Sequence, residues 1–346
     1  MIITRTPFRI TLGGGGTDLP SFYEQHGGYI FAMTINKYMY ISMHRLPVTE
    51  RKSIIRYSKV ETVSSLDEIA HPLAREALRM HNVNEFIELN SQADLPAKTG
   101  LGSSGAYLVG LLTAIRAYKR EIVPLQQLAE EACHIEMNIL KEPVGKQDQF
   151  MAAFGGFRTL EIERSGNVTV GAVPIDFHTA SELAHKARMY YTGIQRSANT
   201  VLRQQDGAAR QTESPDHTRV VDSLLRIKEI GRDIEKAFRE GDLDRFAVLM
   251  DEHWKNKKQL SRNVSLSVLD ELYEHVKKEF GVLGGKIIGA GGGGFVMLYC
   301  PKNGRALDAF MAAQEMPPIS YFPSLQGSRV VADFSGFDDF ETQFTS

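Results

Sequence analysis

Residues Pro96-Ala97-Lys98-Thr99-Gly100-Leu101-Gly102-Ser103-Ser104-Gly105-Ala106 lead from a strand-like segment, Glu85–Leu89, into a run at Ser104–Lys119 that is apolar almost all round. Such a run predicts a helix buried on every side. A helix that starts in a glycine-rich turn presents unpaired N–H groups and the positive end of its dipole, a natural site for an anion. The glycines let phosphate oxygens approach the backbone, and the Ser103 and Ser104 hydroxyls can hydrogen-bond phosphate or ligate Mg2+. No Gly-Lys-Ser/Thr closes the loop, so it is not a Walker A loop. The local sequence leaves open a plainer alternative, a glycine-rich turn with Ser103 as an ordinary helix cap.

Two more glycine runs lie outward from this one. Leu12-Gly13-Gly14-Gly15-Gly16-Thr17-Asp18 follows a strand-like segment, Arg9–Leu12, and lets the backbone come close to a ligand. Asp18 stands at the start of a short helix with Pro20 in its first turn. There it can accept hydrogen bonds from sugar hydroxyls or serve as an N-cap, and its neighbours do not decide between the two. Gly284-Gly285-Lys286-Ile287-Ile288-Gly289-Ala290-Gly291-Gly292-Gly293-Gly294-Phe295 satisfies GxGxxG. However, a strand at Phe295–Tyr299 follows the glycines instead of a helix, and no acidic residue stands at the dinucleotide-fold distance, so the run points away from NAD.

The rest of the chain reads as strands, then helices, then strands. Ile2–Thr4, Arg9–Leu12, Tyr29–Ile35, Tyr38–His44 and Ser53–Tyr57 suit strands, and Phe157–Glu163 with Val168–Val173 suit a hairpin. Pro72–Met80 and a segment from Pro124 to about Leu140 suit helices. Val220, Val221, Leu224, Ile227, Ile230, Ile234 and Phe238 recur at helical spacing, as do Phe246, Leu249, Met250 and Trp254. Ser267–Phe280 is a third helix. The polar stretch Gln204–His217 reads as a loop. Lys255, Lys257 and Lys258 read as a solvated helix face. This order argues for an α+β chain in two lobes, 1–180 and 181–346, and against a doubly wound parallel sheet. A length of 346 residues, beyond what one core usually sustains, agrees.

Composition excludes several classes. A formal net charge of −2 gives no footprint for nucleic acid or an anionic membrane. No apolar stretch is long enough to span a bilayer, and the first residues lack a signal peptide's apolar core. Cys133 and Cys300 stand apart, which argues against a disulfide framework and fits a cytoplasmic protein. His44, His71, His81, His134, His253 and His275 are scattered, which favours surface or hydrogen-bonded helix histidines over zinc ligands.

The three glycine loops, in this order and at these separations, resemble the three motifs of the GHMP kinases, from Arg5 to about Tyr299. Arg5–Tyr23 and Gly281–Phe295 are most similar to the branch of D-glycero-D-manno-heptose 7-phosphate kinases, with the kinase part of L-fucokinases as a neighbour. The resemblance implies an α+β, two-lobed GHMP kinase fold: an N-terminal lobe with a left-handed βαβ crossover, a C-terminal ferredoxin-like lobe, and an active site between them. It implies ATP and Mg2+, with Gly100, Leu101, Gly102, Ser103, Ser104 and Gly105 around the nucleotide phosphates. It makes Ser104 and Glu136 the metal ligands, Glu136 standing twelve residues before Asp148.

Asp148, in Gly145-Lys146-Gln147-Asp148-Gln149-Phe150, is then the base for the acceptor hydroxyl, and Arg9 the cation that orients it. Gly15, Gly16, Asp18, Arg196 and Gly292 fall around the acceptor, a small-molecule sugar or sugar phosphate. Arg196 suits a substrate phosphate and equally a surface pair at a helix start. Galactokinases carry Gly-Glu-His-Thr-Asp where this chain has Gly14-Gly15-Gly16-Thr17-Asp18, so galactose is a poor acceptor candidate; Phe8 also replaces a small residue of the motif. L-fucose or another sugar is an alternative acceptor. A non-catalytic sensor is a third reading, disfavoured because Asp148, Glu136 and Ser104 are all present. A monomer or a homodimer is expected.

Overall fold

The computed structural model describes residues 1–47, 49, 51–194, 198–210, 215–260, 264–289 and 291–334. Two long strands organise it. β1 (Ile2–Gly13) and β2 (Gly28–Arg45) pair antiparallel along most of their length. Each was expected from the sequence as two shorter strands. Instead both run on through a register shift between Pro7 and Phe8, a bulge where proline has no N–H for the ladder.

Helix α1 (Pro20–His26) joins them. Beyond β2 come β3 (Ser53–Arg56), β4 (Val60–Val63), helix α2 (Pro72–Met80) and β5 (Ile87–Ala93). β5 pairs with one half of the outer edge of β2, and β6 (Phe157–Ile162), hairpinned to β7 (Val168–Ala172), takes the other half. Among the described strands β3 and β5 form the parallel pair, so the segment through α2 is a crossover.

Across this sheet lies α3 (Ser103–Tyr118), the apolar helix the sequence predicts, buried from Gly105 through Leu112. Thr4 on β1 donates to the Gly110 carbonyl at 3.0 Å and fixes helix to sheet. α4 (Leu125–Cys133) continues into a wider π-helical turn, His134–Ile139. α5 (Gln147–Phe154) then packs on α3.

The second lobe has α6 (Phe177–Lys186), β8 (Ala187–Tyr191), α7 (Ala198–Arg210), α8 (Pro215–Arg239), α9 (Leu243–Lys257) and α10 (Ser267–Phe280). After them come β9 (Gly284–Ile287), β10 (Phe295–Tyr299), α11 (Gly304–Ala313) and β11 (Pro318–Ile319). Its antiparallel sheet runs β11-β8-β10-β9. The chain then returns: β12 (Arg329–Asp333) pairs with β1, so the second lobe proposed for 181–346 hands its last strand back to the first sheet.

Helix α8 ties the lobes together. Val220, Leu224 and Ile227 in its first half join a smaller core made mostly by the second lobe, while Ile230, Ile234 and Phe238 join the larger core, which combines the first sheet with Phe246 and Met250 of α9 and Met297 of β10. The Phe238 ring meets Phe31 edge-on at 5.3 Å.

The loop expected over Gln204–His217 is a helix as far as Arg210; residues 211–214 lie outside the described ones. Val201, Gln205 and Ala209 recur every four residues and are buried, and α7 packs on α1 and α8. The stretch looks polar because the middle of those three positions is a glutamine.

Close packing of α9 on β9 depends on Gly284, where an added Cβ would lie 1.8 Å from the Ala247 carbonyl oxygen. Gly284→Ala is expected to push helix and strand apart and to destabilise the protein by about 1–3 kcal/mol. Thermal or urea unfolding checks this; a midpoint equal to wild type would mean the seam can open freely.

Candidate active site

The three glycine loops converge. They line one cavity of 270 Å³ between the lobes, bounded by Arg9, Thr11, Gly15, Gly16, Asp18 and Lys98 and by the glycines and serines of the second loop. Gln147, Asp148, Gln205, Lys257, Lys286 and Gly289 line it as well. The second and third loops touch backbone to backbone. Gly100 and Gly289 both have positive φ, 82° and 81°. A Cβ on Gly100 would lie 2.5 Å from the Ile288 carbonyl oxygen, and one on Gly289 2.4 Å from the Gly100 Cα. Only glycine fits either position.

At the centre is Arg9 on β1, 5% exposed. Its Nε donates to Asp148 Oδ1 at 2.8 Å, its Nη2 stands 2.6 Å from the same oxygen, and its Nη1 donates to the Gly100 carbonyl at 2.5 Å. Asp148 lies in the first turn of α5, where the helix dipole also favours a carboxylate. The pairing expected between Arg9 and Asp148 is therefore present.

The start of α3 faces the same space. Its N-cap is Gly102, with φ 78°, so Ser103 is already the first helical residue and not the cap. Gly100, Gly102, Ser103 and Ser104 line the cavity. Leu101 is buried behind it, and Gly105 is pressed against Asp148, whose main-chain carbon would be 3.0 Å from a Cβ there.

Ser104 stands close enough to Glu136 to favour its charged form, and the π-helical turn after α4 carries that carboxyl inward. Such single turns recur at functional positions. Glu136 is 2% exposed and accepts from Gln149 Nε2 at 2.5 Å, but no cation pairs with it among the described residues. Burial pushes its carboxyl up to about 7. Among the described residues no three His, Cys, Asp or Glu side chains are grouped to hold a metal. The hydroxyl and the uncompensated carboxylate still fit Mg2+, which takes a few hard protein oxygens and completes its shell with phosphate and water.

On the other wall, Asp18 is buried and turned toward α5. Its Oδ2 accepts from the Gln147 N–H at 3.1 Å, and Gln147 Nε2 stands 3.4 Å from Oδ1. The N-cap of α1 is Leu19, so the capping alternative for Asp18 falls away. Desolvation raises its carboxyl above the ordinary range, against the Gln147 hydrogen bond. Thr11 donates to Gln147 Oε1 at 2.5 Å and completes that wall. Gly15 and Gly16 line the cavity; Gly292 does not, and its N–H is taken by the Val264 carbonyl at 2.8 Å. Arg196 lies outside the described residues.

Lysine 257 corrects a sequence expectation. Lys255 and Lys258 pair with Asp251 and Asp270, as a solvated face would. Lys257 instead is 6% exposed, donates to the Gly289 carbonyl and lines the cavity. Lys286, which the sequence reading left without a role, is 1% exposed and lines it too. His253, one turn before Lys257, is fully buried with neither ring nitrogen hydrogen-bonded, against the expectation of a surface or satisfied histidine. The signal for Lys257 was its place on the stripe Phe246, Met250, Trp254; for Lys286, its place between Gly285 and Ile287 in a wholly buried strand.

The chain is similar to known proteins of one family. The family model for the GHMP kinases N terminal domain matches residues 67–156, and that for the GHMP kinases C terminal matches 234–317, together half of the chain. A D-glycero-alpha-D-manno-heptose 7-phosphate kinase of Campylobacter jejuni is 27% identical over 86% of this chain and 89% of its own length. An L-fucokinase/L-fucose-1-P guanylyltransferase of Bacteroides fragilis is 24% identical over 85% of this chain, which spans 34% of that longer protein. The solved structure of a D-glycero-D-manno-heptose 1-phosphate kinase from Bacteroides thetaiotaomicron superposes with a TM-score of 0.78 at 22% identity, covering 97% of this chain and all of that one.

Glu136 makes stability depend on pH. Its folded pKa of about 7 lies above the ordinary 4.5, so the folded state holds the proton more tightly. Its contribution is complete below pH 4.5 and is lost as pH rises through 7. In metal-free buffer at pH 8, Glu136→Gln is expected to be more stable than wild type by about 2–3 kcal/mol, with the gap closing toward pH 4.5. Unfolding midpoints at both pH values in a chelator check this; a gap that does not change with pH would refute it.

Proposed function

This chain belongs to the GHMP kinases, and we propose that it transfers the γ-phosphoryl group of ATP to the anomeric hydroxyl of D-glycero-D-manno-heptose 7-phosphate, in the synthesis of nucleotide-activated heptose for a surface polysaccharide. The observation that carries the reading is the convergence on one cavity of a helix N-terminus, an arginine-held carboxylate and a second buried carboxylate. The Campylobacter relative named for heptose 7-phosphate supports that choice of acceptor.

In this reading the N–H groups at the start of α3 hold the nucleotide phosphates. Asp148, fixed by Arg9, accepts the acceptor's hydroxyl proton or orients that hydroxyl, since a loose transition state demands little early proton abstraction. Asp18, with Gln147 behind it and Gly15 and Gly16 beside it, receives the sugar hydroxyls. Ser104 and Glu136 hold Mg2+, which when bound neutralises charge on the phosphates. The third glycine loop closes against the second and keeps water from the transferring group.

Coupled ADP release across a panel of sugars and sugar phosphates tests the acceptor, and heptose 7-phosphate is expected to give the highest kcat/KM. Preference for L-fucose or another free sugar would move the reading to the fucokinase-like alternative; no turnover with any would favour a sensor. Asp148→Asn is expected to keep the fold and ATP binding while lowering kcat by roughly two orders of magnitude or more. Near wild-type turnover would remove Asp148 from the chemistry.

Metal is tested separately. Glu136→Gln and Ser104→Ala are each expected to raise the Mg2+ needed for half-maximal activity, and Mg2+ should raise the pH 8 unfolding midpoint of wild type but not of Glu136→Gln. Unchanged Mg2+ responses in both variants would place the metal elsewhere.

A further inference from the structure

We propose that Lys257 and Lys286 form the subsite for a phosphate monoester already present on the acceptor, so that the cleft selects a sugar phosphate over the free sugar. The inference rests on the acceptor reading above and names the residues that make it selective.

Both side chains are more than nine-tenths buried, and both line the cavity. Neither forms an ion pair with a carboxylate among the described residues. The partners of their ammonium groups are main-chain carbonyls: Gly289 for Lys257, and Leu12 at 3.4 Å for Lys286.

The remaining charges nearby are committed. Arg9 is engaged with Asp148 and the Gly100 carbonyl, and Asp18 accepts from Gln147. His253 offers no countercharge, because burial and the two lysines hold it well below its ordinary pKa and so neutral. Desolvation lowers Lys257 to about 8 and holds Lys286 well below its ordinary value, and an anion beside them would favour the protonated form of both. Two buried amines that line one cavity, with Asp18 acting on Lys257 but hydrogen-bonded to Gln147, gain charge when an anion enters beside them, and together they match a phosphate monoester, which carries about two negative charges near neutral pH.

Position separates this anion from the nucleotide's. The phosphate-binding helix α3 belongs to the first lobe, whereas Lys257 ends α9 and Lys286 lies on β9 in the second. Lys286 reaches Leu12, where the first glycine loop begins, on the side of Gly15, Gly16 and Asp18. In the acceptor reading that loop receives the sugar, while Lys257 bonds the Gly289 carbonyl, where the third glycine loop packs on Gly100 of the second.

The test is calorimetric, without ATP and so without turnover. Binding of D-glycero-D-manno-heptose 7-phosphate and of the unphosphorylated heptose is measured for wild type, Lys257→Met and Lys286→Met. Wild type is expected to prefer the phosphorylated sugar, and each variant to lose at least about tenfold of that preference, the scale of a lost charge-assisted hydrogen bond. Methionine keeps the aliphatic stem and removes a buried ionisable group that has no ion-pair partner among the described residues, so both variants are expected to unfold no earlier than wild type in phosphate-free buffer. Inorganic phosphate should raise the unfolding midpoint of wild type and not of the variants.

An intact preference in both variants overturns the subsite while leaving the acceptor reading standing, and weaker ATP binding by the variants in a separate sugar-free titration would then assign the lysines to the nucleotide. A wild type that prefers the free sugar overturns the acceptor reading itself. Arg196→Ala in the same assay separates the two nominations: collapse of the preference there, with both lysine variants intact, would move the subsite to Arg196.

Discussion

The Arg9 guanidinium holds the cleft in register. One side chain, planted in the middle of β1, reaches the first turn of α5 through Asp148 and the second glycine loop through the Gly100 carbonyl. The Arg9 main chain also donates to the Leu101 carbonyl at 3.1 Å. Three segments that are distant in sequence are thereby fixed on one residue. A lysine could not replace it, because a single ammonium lacks the planar fork that serves a carboxylate and a carbonyl in different directions. Removing either charge would leave the other buried and unpaired, which is more disruptive than removing both. Asp148 is thus oriented before any ligand arrives, which is the preorganisation phosphoryl transfer relies on.

Where a pattern repeats locally, the sequence was readable. The apolar surround of α3, the stripes of α8 and α9 and the three glycine runs each carry their meaning within about twenty residues, and each lies where its pattern indicated. Legibility failed where a polar residue occupies a buried position. Gln205 breaks the apolar repeat of α7, and Lys257 extends that of α9 with a charge, so each made a buried face look solvated. Asp18 failed differently: the sequence allowed cap or ligand, and the decision lay in Gln147, 129 residues away.

Long-range pairing was the other blind spot. β12 is a partly exposed edge strand of five residues whose partner is the first strand of the chain, and nothing nearby signals it. Together with α8, which gives its two halves to two cores, it makes the lobes interdependent. The second lobe is bracketed by elements that return to the first. The facing glycine loops therefore belong to one braced frame, which explains how Gly100 and Gly289 can be held in backbone contact without a side chain between them.

Within that frame the charges are arranged in an unusual way for an interior. Among the described residues lining the cavity, Arg9 and Asp148 form the pair of opposite sign that is in direct contact. Glu136 lies behind Ser104 with its carboxyl raised by burial, and Lys257 and Lys286 lie on the opposing lobe with their ammonium groups lowered by it. Had the cleft been selected only for stability, these groups would be expected to meet one another or to be apolar. They belong to different lobes, and the frame keeps them apart. A ligand set with the complementary distribution, a cation beside Glu136 and an anion beside the lysines, relieves both desolvation penalties at once. The interior is destabilised where the ligands bind, as expected of a site whose local inconsistencies are functional.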